Sequence, residues 1–314
     1  MKVQFILNPC SGRNRRRPWL AAAIRDFARA RLPESALVMT EGRGHATELA
    51  RAAVAAGSDV VVAVGGDGTM NEVAQALLQT PSTLALVPCG SGNGLALHLG
   101  LPRSLEHALT LITAGKHKVA AIDTGLVEDR PFFNAMGLGF DAEVSRRFNG
   151  LTRRGLPAYM RETAAALREV RRERCTITTG DRQEVLDTVL VTVANSDQYG
   201  NNARIAPGAR VDDGLLDLVA VKPAPLWSLA ALVPSLFLGT FDQSRHVARL
   251  RGGAFQIQRE RAGLVHTDGE THALGPIINV RVNPRSLRVL VPAACRLATS
   301  PVPFAPGTFV LQLP

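Results

Sequence analysis

The sequence predicts an open α/β domain followed by a β-sandwich domain. In the first part of the chain, up to about residue 118, apolar runs, glycine-bearing turns and helical segments alternate, as in a parallel sheet. Many short strand-like runs with turn signals between them follow, which is typical of a sandwich. We therefore expect domains at 1–122 and 123–314, and the pattern leaves open whether the last strands return to the first domain.

The first domain contains four strand-like runs that alternate with four helical segments. The run at Asp59–Val64 is continuous and β-branched, as expected of a strand buried on both faces of a parallel sheet. The other predicted strands are Val3–Leu7, Ala36–Thr40 and Leu84–Val87, and the predicted helices are Trp19–Ala30, His45–Ala56, Thr69–Leu78 and Ser104–Ala114.

In the second domain the sequence pattern predicts mainly strands. They are predicted at Ala120–Leu126, Phe132–Leu138, Cys175–Thr179, Val185–Ala194, Leu215–Val221, Ala254–Arg259, Ile277–Val282 and Arg288–Val291. Two helical segments interrupt them, an arginine-rich one at Arg153–Arg174 and an apolar one at Leu226–Leu238. We expect the apolar helix to pack over the sandwich, with a place at a membrane interface as the alternative.

Composition excludes several classes of protein. With 46% hydrophobic and 20% charged residues the chain is globular rather than disordered. The longest apolar stretch, at 226–241, is interrupted by Pro234 and is too short to span a bilayer. The N-terminal residues lack the apolar core of a signal peptide, and the four cysteines form no CxxC pair, which favours the cytoplasm.

The net charge of +9 permits nucleic acid, anionic lipid or a phosphorylated substrate as a partner. Aromatic residues make up only 5% and no nucleic-acid-binding motif occurs, so we expect no nucleic acid. The arginine-rich region permits peripheral contact with an anionic membrane surface, and a solvated helix face is the alternative. Its arginines are Arg146, Arg147, Arg153, Arg154, Arg161, Arg168, Arg171, Arg172 and Arg174.

Three glycine-bearing loops follow strands of the first domain, at 8–12, 65–69 and 90–93. In a parallel sheet such loops gather at the carboxyl edge, where ligands bind. Glycine lets the backbone approach a phosphate closely, and each loop also carries Ser or Thr, with an Asn in it or close by. The Walker and GxGxxG patterns are absent, which argues against a P-loop ATPase and a Rossmann dehydrogenase.

Six segments together resemble the diacylglycerol kinase-like lipid kinases, a superfamily that includes bacterial diacylglycerol and phosphatidylglycerol kinases and sphingosine kinases. They are NPCSG at 8–12, VGGDGTMNEV at 64–73, PCGSGNGLA at 88–96, DTG at 123–125 with FFNAMGLGFDAEV at 132–144, APGARVDDGLLDL at 206–218 and HTDGE at 266–270. The GGDGT core alone is shared with NAD kinases and phosphofructokinases.

The resemblance implies an N-terminal nucleotide-binding domain like that of NAD kinase and phosphofructokinase, with ATP in the cleft between the domains and a membrane lipid as the acceptor. It implies ATP contacts from the three loops and their surroundings. The residues concerned are Asn8, Pro9, Ser11, Gly12, Thr40, Gly65, Gly66, Asp67, Gly68, Thr69, Asn71, Glu72, Gly90, Ser91, Gly92 and Asn93.

Three carboxylates are candidates for the base that takes the proton from the lipid hydroxyl. The resemblance points to Asp268, with Glu270 and Asp67 as competitors. An Asp-Gly pair is also a strong hairpin signal, so the DGE segment has a purely structural interpretation as well. One departure bears on the substrate, because many bacterial relatives carry an acidic residue where this chain has Gly94.

The resemblance also implies Mg²⁺ as a cofactor. The DDGLLD segment resembles a structural Mg²⁺ loop, in which Asp213 would supply a carboxylate and Arg210 and Leu215 their backbone oxygens. A turn capped by Asp212 is the structural alternative. Asp67 is a second candidate, through water.

The resemblance as a whole implies an ATP- and Mg²⁺-dependent lipid kinase acting on a diacylglycerol, phosphatidylglycerol or long-chain base type of lipid. Two alternatives stay open at this point. One is a soluble phosphotransferase of the NAD kinase type, on the GGDGT segment alone. The other is a non-catalytic nucleotide-sensing protein.

Overall fold

The computed structural model describes residues 1–113, 117–149, 161–163, 165–166 and 171–297. Its first part alternates strands and helices, and most boundaries agree with the sequence prediction within two residues. The elements are β1 (Val3–Leu7), α1 (Leu20–Arg31), β2 (Ser35–Met39), α2 (His45–Ala55), β3 (Val60–Gly65), α3 (Asp67–Leu77), β4 (Thr83–Pro88), α4 (Gly94–His98) and α5 (Leu105–Thr113).

Strands β1 to β4 pair in parallel in the order β2-β1-β3-β4. All six residues of β3 are buried, as the β-branched run predicted. Helices cover both faces of this sheet. The face covered by α2 and α3 packs around Ile6, Val61 and Val73, and the opposite face packs around Phe5, Ile24 and Val62. The loops that follow β1, β3 and β4 therefore emerge at one edge.

The second part is mainly strands. It contains β5 (His117–Val127), β6 (Arg130–Phe132), β7 (Ala135–Gly139), α6 (Phe140–Asn149), β8 (Glu173–Thr179), β9 (Arg182–Thr188), β10 (Leu190–Ala194), β11 (Gln198–Gly200), β12 (Ala203–Arg204), β13 (Leu216–Val221), α7 (Leu226–Leu238), β14 (Val247–Gly252), β15 (Ala254–Arg259), β16 (Gly263–Thr267), β17 (Glu270–Leu274) and β18 (Ile277–Pro292).

Two sheets form the sandwich. One is a six-stranded sheet in the order β14-β13-β10-β7-β16-β17. The other is continuous with the parallel sheet of the first domain and extends it through β18, β15, β8 and β9. Apolar side chains from both sheets, among them Met136, Ile177, Val191 and Phe255, fill the space between them. The α/β plus β-sandwich class predicted from the sequence is confirmed.

Strand β18 joins the two parts of the molecule. It pairs in parallel with β4 at Val289 and Leu84, and antiparallel with β5 and β15. The sequence predicted two short strands here, because Asn283–Ser286 breaks the apolar alternation. The structure has one strand with an irregular register between Asn283 and Leu287.

The sequence analysis missed the strands β6, β11, β12, β14, β16 and β17 and the helices α4 and α6, and it joined β9 and β10 into one strand. The apolar helix was predicted correctly. In α7, Leu229 and Leu232 pack with Leu190 and Val219 on the outer face of the six-stranded sheet. None of the helices in the described residues is long and apolar enough to cross a membrane. Arg153, Arg154 and Arg168 lie outside the described residues.

Candidate active site

A single cavity of about 1710 Å³ runs from the loop edge of the first domain into the second domain. Its outer end is lined by the three glycine loops and by Arg13, Arg15 and Arg16. Its inner end is an apolar pouch beneath α7, lined mainly by Val189, Leu190, Ile205, Val221, Leu229, Leu232, Val233, Leu236, Phe237 and Phe241. The cavity is therefore basic and polar at one end and apolar at the other.

The three glycine loops touch one another because their glycines lack side chains. A Cβ atom on Gly90 would lie 2.6 Å from Cα of Gly66, and one on Gly12 would lie 2.4 Å from the carbonyl oxygen of Cys89. Both distances are too short for real atoms. The amide of Arg13 also donates a hydrogen bond to that Cys89 oxygen at 3.2 Å. Glycine at these positions thus allows three loops to form one surface.

Asp67 fixes the second loop to the third. Its Oδ2 accepts a hydrogen bond from the amide of Asn93, and its Oδ1 accepts one from the amide of Gly94, both at 2.8 Å. Between the first and second loops, Nδ2 of Asn8 donates to Oγ1 of Thr69 at 3.0 Å. These bonds hold the loops in register and leave their backbone amides along the cavity wall.

Most of the residues expected to contact ATP line this cavity. They are Asn8, Ser11, Gly12, Thr40, Gly66, Asp67, Gly68, Thr69, Glu72, Gly90, Ser91 and Gly92. Pro9, Gly65, Asn71 and Asn93 lie in or beside the same loops but not on the cavity wall. The carboxylate of Glu72 accepts hydrogen bonds from the amides of Gly44 and Ala46, which stabilises the start of α2.

The DGE segment is both a hairpin turn and part of the cavity wall. Asp268 and Gly269 form the two-residue turn between β16 and β17, with φ of 48° and 88°. Positive φ at both central residues matches the twist of a tight hairpin. The turn places Glu270 as the first residue of β17, facing the cavity. The structural and functional interpretations of this segment are therefore compatible.

The carboxylate of Asp268 is held by three backbone amides. Oδ2 accepts a hydrogen bond from Phe133 at 2.7 Å, and Oδ1 accepts bonds from Asn134 at 2.8 Å and Ala135 at 3.0 Å. Removal of this carboxyl group from water raises its pKa to about 6, although the three amides act in the opposite direction. Asp268 thus ties the DGE turn to the start of β7.

Glu270 is more accessible and reaches across the cleft. Its Oε1 accepts a hydrogen bond from Arg43 of the first domain at 2.8 Å, and 42% of its side chain is exposed. Both residues line the cavity. Because Arg43 lies on the first domain and Glu270 on the second, this ion pair bridges the mouth of the cleft.

The position of Gly94 faces Asn134. A Cβ atom on Gly94 would lie 3.1 Å from Oδ1 of Asn134, which also accepts a hydrogen bond from Ser196 at 3.0 Å. An acidic side chain at position 94 would therefore meet the Asn134 amide. In this chain Asn134 lines the cavity at that point.

The predicted Mg²⁺ loop lies away from the cavity. Oδ2 of Asp213 pairs with Arg251 at 2.5 Å, and its Oδ1 accepts a bond from the amide of Leu215 at 3.1 Å. Arg210 pairs with Asp212 at 3.0 Å. Within the described part of the chain, no group of three or more His, Cys, Asp or Glu side chains is arranged to hold a metal ion.

One polar cluster of the cavity escaped the sequence analysis. Asp141, Tyr199 and His266 line the cavity between its polar and apolar ends, and the buried Thr192 lies behind them. Asp141 belongs to the GFDAEV motif, and His266 to the HTDGE motif. Tyr199 carries no motif signal, because it approaches the others only through the fold.

A parallel sheet with convergent glycine loops, facing a β-sandwich that supplies carboxylates to the same cleft, defines a two-domain phosphotransferase. The diacylglycerol kinase catalytic domain matches residues 2–127, and the YegS C-terminal NAD kinase beta sandwich-like domain matches residues 134–291. The chain therefore belongs to the diacylglycerol kinase-like lipid kinase family.

Individual relatives agree with this assignment. A Pseudomonas aeruginosa (strain UCBPP-PA14) protein named "Probable lipid kinase YegS-like" is 31% identical over 96% of this chain and 97% of its own length. A Mycobacterium tuberculosis (strain H37Rv) protein named "Diacylglycerol kinase" is 30% identical over 93% and 95%. The crystal structure of a diacylglycerol kinase from Bacillus anthracis strain Sterne shares the fold, with a TM-score of 0.70 at 22% identity over 94% of this chain and 98% of that one.

Proposed function

We propose that this enzyme transfers the γ-phosphoryl group of ATP to a hydroxyl of a membrane lipid. The single observation that supports this most strongly is the shape of the cavity, which joins phosphate-binding loops to an apolar pouch without a break. A soluble acceptor such as NAD would gain nothing from a pouch lined by Leu229, Leu232 and Phe237. Acyl chains would bury apolar surface there.

ATP would bind with its phosphates on the three glycine loops. Backbone amides of the loops and the N-terminus of α3 favour anions at this edge. Arg13, Arg15 and Arg16 line the same end of the cavity and add positive charge. These groups are in place before the reaction and are suited to hold the charge that develops on the transferred phosphoryl group.

Glu270 is our candidate for the base that takes the proton from the lipid hydroxyl. Asp268 seemed preferable from the sequence, and its raised pKa suits a base, but three amides already occupy its two oxygens. Glu270 faces the cavity, and among the described residues its carboxylate is bound by the exposed Arg43 alone. Asp67 binds two loop amides and is better suited to positioning the loops.

Mg²⁺ fits the first-domain end of the site. Asp67 lines the cavity, and each of its oxygens accepts one amide hydrogen bond, which leaves lone pairs for a water-bridged cation. When bound, the ion supplies positive charge to the ATP phosphates. A further Mg²⁺ at Arg210, Asp213 and Leu215 stays a sequence prediction, because Arg251 now pairs with that carboxylate.

The enzyme would meet its substrate as a peripheral membrane protein on the cytoplasmic side. Helix α7, which covers the pouch, exposes Leu226, Trp227, Phe237 and Leu238, and Trp227 and Leu238 are 73% and 75% exposed. Such side chains insert readily into a bilayer interface. In the arginine-rich region, Arg146 and Arg147 bind Glu143 and Arg161 binds Glu162, whereas Arg171, Arg172 and Arg174 carry the remaining described charge.

The experiment that tests this function offers labelled acceptors side by side. The protein is incubated with γ-labelled ATP and Mg²⁺ together with either a total lipid extract in mixed micelles or NAD. We expect label in a lipid product with the wild type, and at least about 100-fold less with Glu270→Gln. Asp268→Asn should retain more activity than Glu270→Gln once its folding is verified. Label in NAD, or in no product, would contradict the proposal.

A further inference from the structure

A buried polar cluster lies where the phosphate end of the cavity passes into the apolar pouch. Its centre is Oδ2 of Asp141, which accepts hydrogen bonds from the hydroxyls of Tyr199 at 2.6 Å and Thr192 at 2.7 Å. Nε2 of His266 lies 3.0 Å from the same oxygen. Asp141, Thr192 and His266 are almost fully buried, and Tyr199 is half-buried.

Three elements bring these residues together. Asp141 lies in the first turn of α6, His266 lies on β16, and Tyr199 lies on β11. On the other side of the cluster lies Gly137, whose missing side chain leaves room for Asp141 and His266. A Cβ atom there would lie 2.2 Å from Oδ2 of Asp141 and 2.7 Å from Nε2 of His266.

The cluster has bonding capacity that its own members do not use. All hydrogen bonds and ion pairs of Asp141 to described residues are made by Oδ2, which leaves Oδ1 for another donor. Nδ1 of His266 accepts a bond from the amide of Gly269 at 3.2 Å, so the neutral ring carries its proton on Nε2. Despite the 3.0 Å separation from Asp141, that Nε2 makes no aligned hydrogen bond within the described part of the chain.

A buried ring nitrogen without an aligned hydrogen-bond partner is costly unless a ligand completes it, and Asp141 lines the cavity beside this nitrogen. Their neighbours on either side show which ligand would fit. Toward the cleft lie the candidate base Glu270 and the glycine loops, and toward the core lies the apolar pouch. A lipid with its chains in the pouch would place its headgroup against this cluster.

We propose that Asp141 binds a hydroxyl of the uncharged headgroup of the lipid acceptor through its Oδ1, with Tyr199 as the positioning residue that orients its carboxylate. This inference rests on the proposed lipid-kinase function and assigns the acceptor's headgroup site within it. The ionised carboxylate of Asp141 can only accept a hydrogen bond, so the ligand group must donate one. The hydroxyl of a lipid alcohol is such a donor.

The charge of the cluster favours an uncharged headgroup over an ammonium group. Burial opposes the charged form of both Asp141 and His266, but each stabilises the charge of the other. The pKa of Asp141 is accordingly lowered and that of His266 is raised. An ionised pair offers a ligand little net charge. Nε2 of His266 carries a proton in the neutral and in the charged ring alike, so an ammonium group, which has only donors, would meet an N–H there, whereas a hydroxyl can accept from that N–H and donate to Asp141.

The test measures the KM for each substrate separately, with dioctanoylglycerol in mixed micelles as the acceptor. Asp141→Asn should raise the KM for dioctanoylglycerol about tenfold or more and leave the KM for ATP within about twofold. Tyr199→Phe should raise the acceptor KM by a smaller factor. An unchanged acceptor KM in a folded Asp141→Asn protein would overturn the proposal.

Thr192→Val is the matched control, because it also removes a hydroxyl that donates to Oδ2 of Asp141, but from a residue that does not line the cavity. We expect it to lower the thermal stability and to change the acceptor KM less than Tyr199→Phe does. If Thr192→Val and Tyr199→Phe raised both KM values equally, the cluster would be structural only and the proposal would be wrong.

A binding measurement separates failure of this inference from failure of the proposed function. If the wild type phosphorylated no lipid, the proposed function would fail by itself. Binding of dioctanoylglycerol without ATP, measured by displacement of a fluorescent lipid, would still test the site. Loss of that binding in Asp141→Asn supports the proposal, and unchanged binding overturns it. A short-chain sphingoid base that binds more tightly than dioctanoylglycerol would overturn the uncharged headgroup.

Discussion

The environments of Asp268 and Glu270 differ sharply although only one residue separates them. The hairpin turn explains this difference. Asp268 is in the turn and folds back onto the amides that begin β7, whereas Glu270 starts the next strand and faces the cleft. A carboxylate that is already bound by three amides stabilises the turn, whereas a carboxylate that is paired, among the described residues, with one exposed arginine side chain has lone pairs left to accept a proton.

We expect Asp268 to make the stability depend on pH in an unusual direction. Its pKa is raised from 3.8 to about 6 in the folded protein, mainly by burial. The folded state therefore holds this proton more tightly than the unfolded state does. The stabilising contribution is complete below about pH 4 and is lost as the pH rises through about 6.

Urea unfolding of the wild type and of Asp268→Asn across this pH range measures the contribution. The protonated Asp268 carboxyl and the amide of the variant each have one acceptor oxygen and one donor group, so the two proteins should have similar unfolding free energies below about pH 4. The unfolding free energy of the wild type minus that of Asp268→Asn should then fall by about 2–3 kcal/mol as the pH rises through about 6. A difference that rose over this pH range would contradict the raised pKa.

Among individual site residues, the sequence predicted those that belong to recognisable motifs. It missed Tyr199, which joins the site only through the fold. The roles of Asp67, Asp268 and Glu270 were open, but their presence at the cleft followed from the GGDGT and DGE segments. Tyr199 had no such signal, because β11 reaches the cluster only after the second domain has folded. Its partner Asp141 is 58 residues away in the chain.

At the scale of elements, the three glycine loops act as one unit. A methyl group on Gly90 would meet the Gly66 backbone at 2.6 Å and the Asn93 side chain at 2.8 Å. Backbone cannot move aside as a flexible side chain can. The loops would have to separate, and the surface proposed for the ATP phosphates would be lost.

Gly90→Ala should therefore lower the free energy of unfolding by about 1–3 kcal/mol and weaken ATP binding at least about tenfold. Calorimetry and ATP titration measure the two effects. Gly275→Ala is the control, because a Cβ atom there has open space and its φ is not positive. Equal ATP affinity in the two variants would show that the close approach of the loops does not matter for binding.

Helix α7 has one face on the six-stranded sheet and two exposed apolar ends. Its exposed Trp227 offers a direct probe, since the chain has only two tryptophans and the other, Trp19, lies on the first domain under Arg17. If α7 docks on membranes, Trp227 enters the interface while Trp19 stays in water.

Single-tryptophan variants report this docking. Trp19→Phe leaves Trp227 alone, and we expect its emission to shift to the blue when vesicles of phosphatidylglycerol and phosphatidylcholine are added. Trp227→Phe leaves Trp19 alone and should show no shift. A shift from Trp19 and none from Trp227 would place the membrane-binding surface on the first domain instead.

Element prediction succeeded where the pattern was local. Strands β1, β3 and β4 and the helices between them were evident from apolar runs and glycine turns. Helix α6 was missed because it begins directly after β7 without a polar turn. Strand β18 was split in two, because Asn283–Ser286 disrupts the alternation although the strand continues beyond it.

For the whole molecule, the two domains are joined by a shared sheet as well as by the chain. Strand β18 lies between β4 of the nucleotide-binding part and β15 of the sandwich. This arrangement fixes the glycine loops relative to the carboxylates of the DGE turn. The sequence predicted an α/β part and a β-sandwich part but left open whether the last strands return to the first domain, since pairing between β4 and β18 involves residues about 200 positions apart, Leu84 and Val289.

The central claim is that the apolar pouch selects a lipid as the acceptor of the phosphoryl group. The most direct test measures kcat/KM for glycerol, for diacylglycerols of increasing chain length, and for NAD under the same conditions. Each buried methylene contributes about 0.8 kcal/mol, so kcat/KM should rise roughly fourfold per methylene until the pouch is filled. Glycerol and NAD should react barely or not at all. A kcat/KM that did not depend on chain length, or that was highest for NAD, would contradict the account.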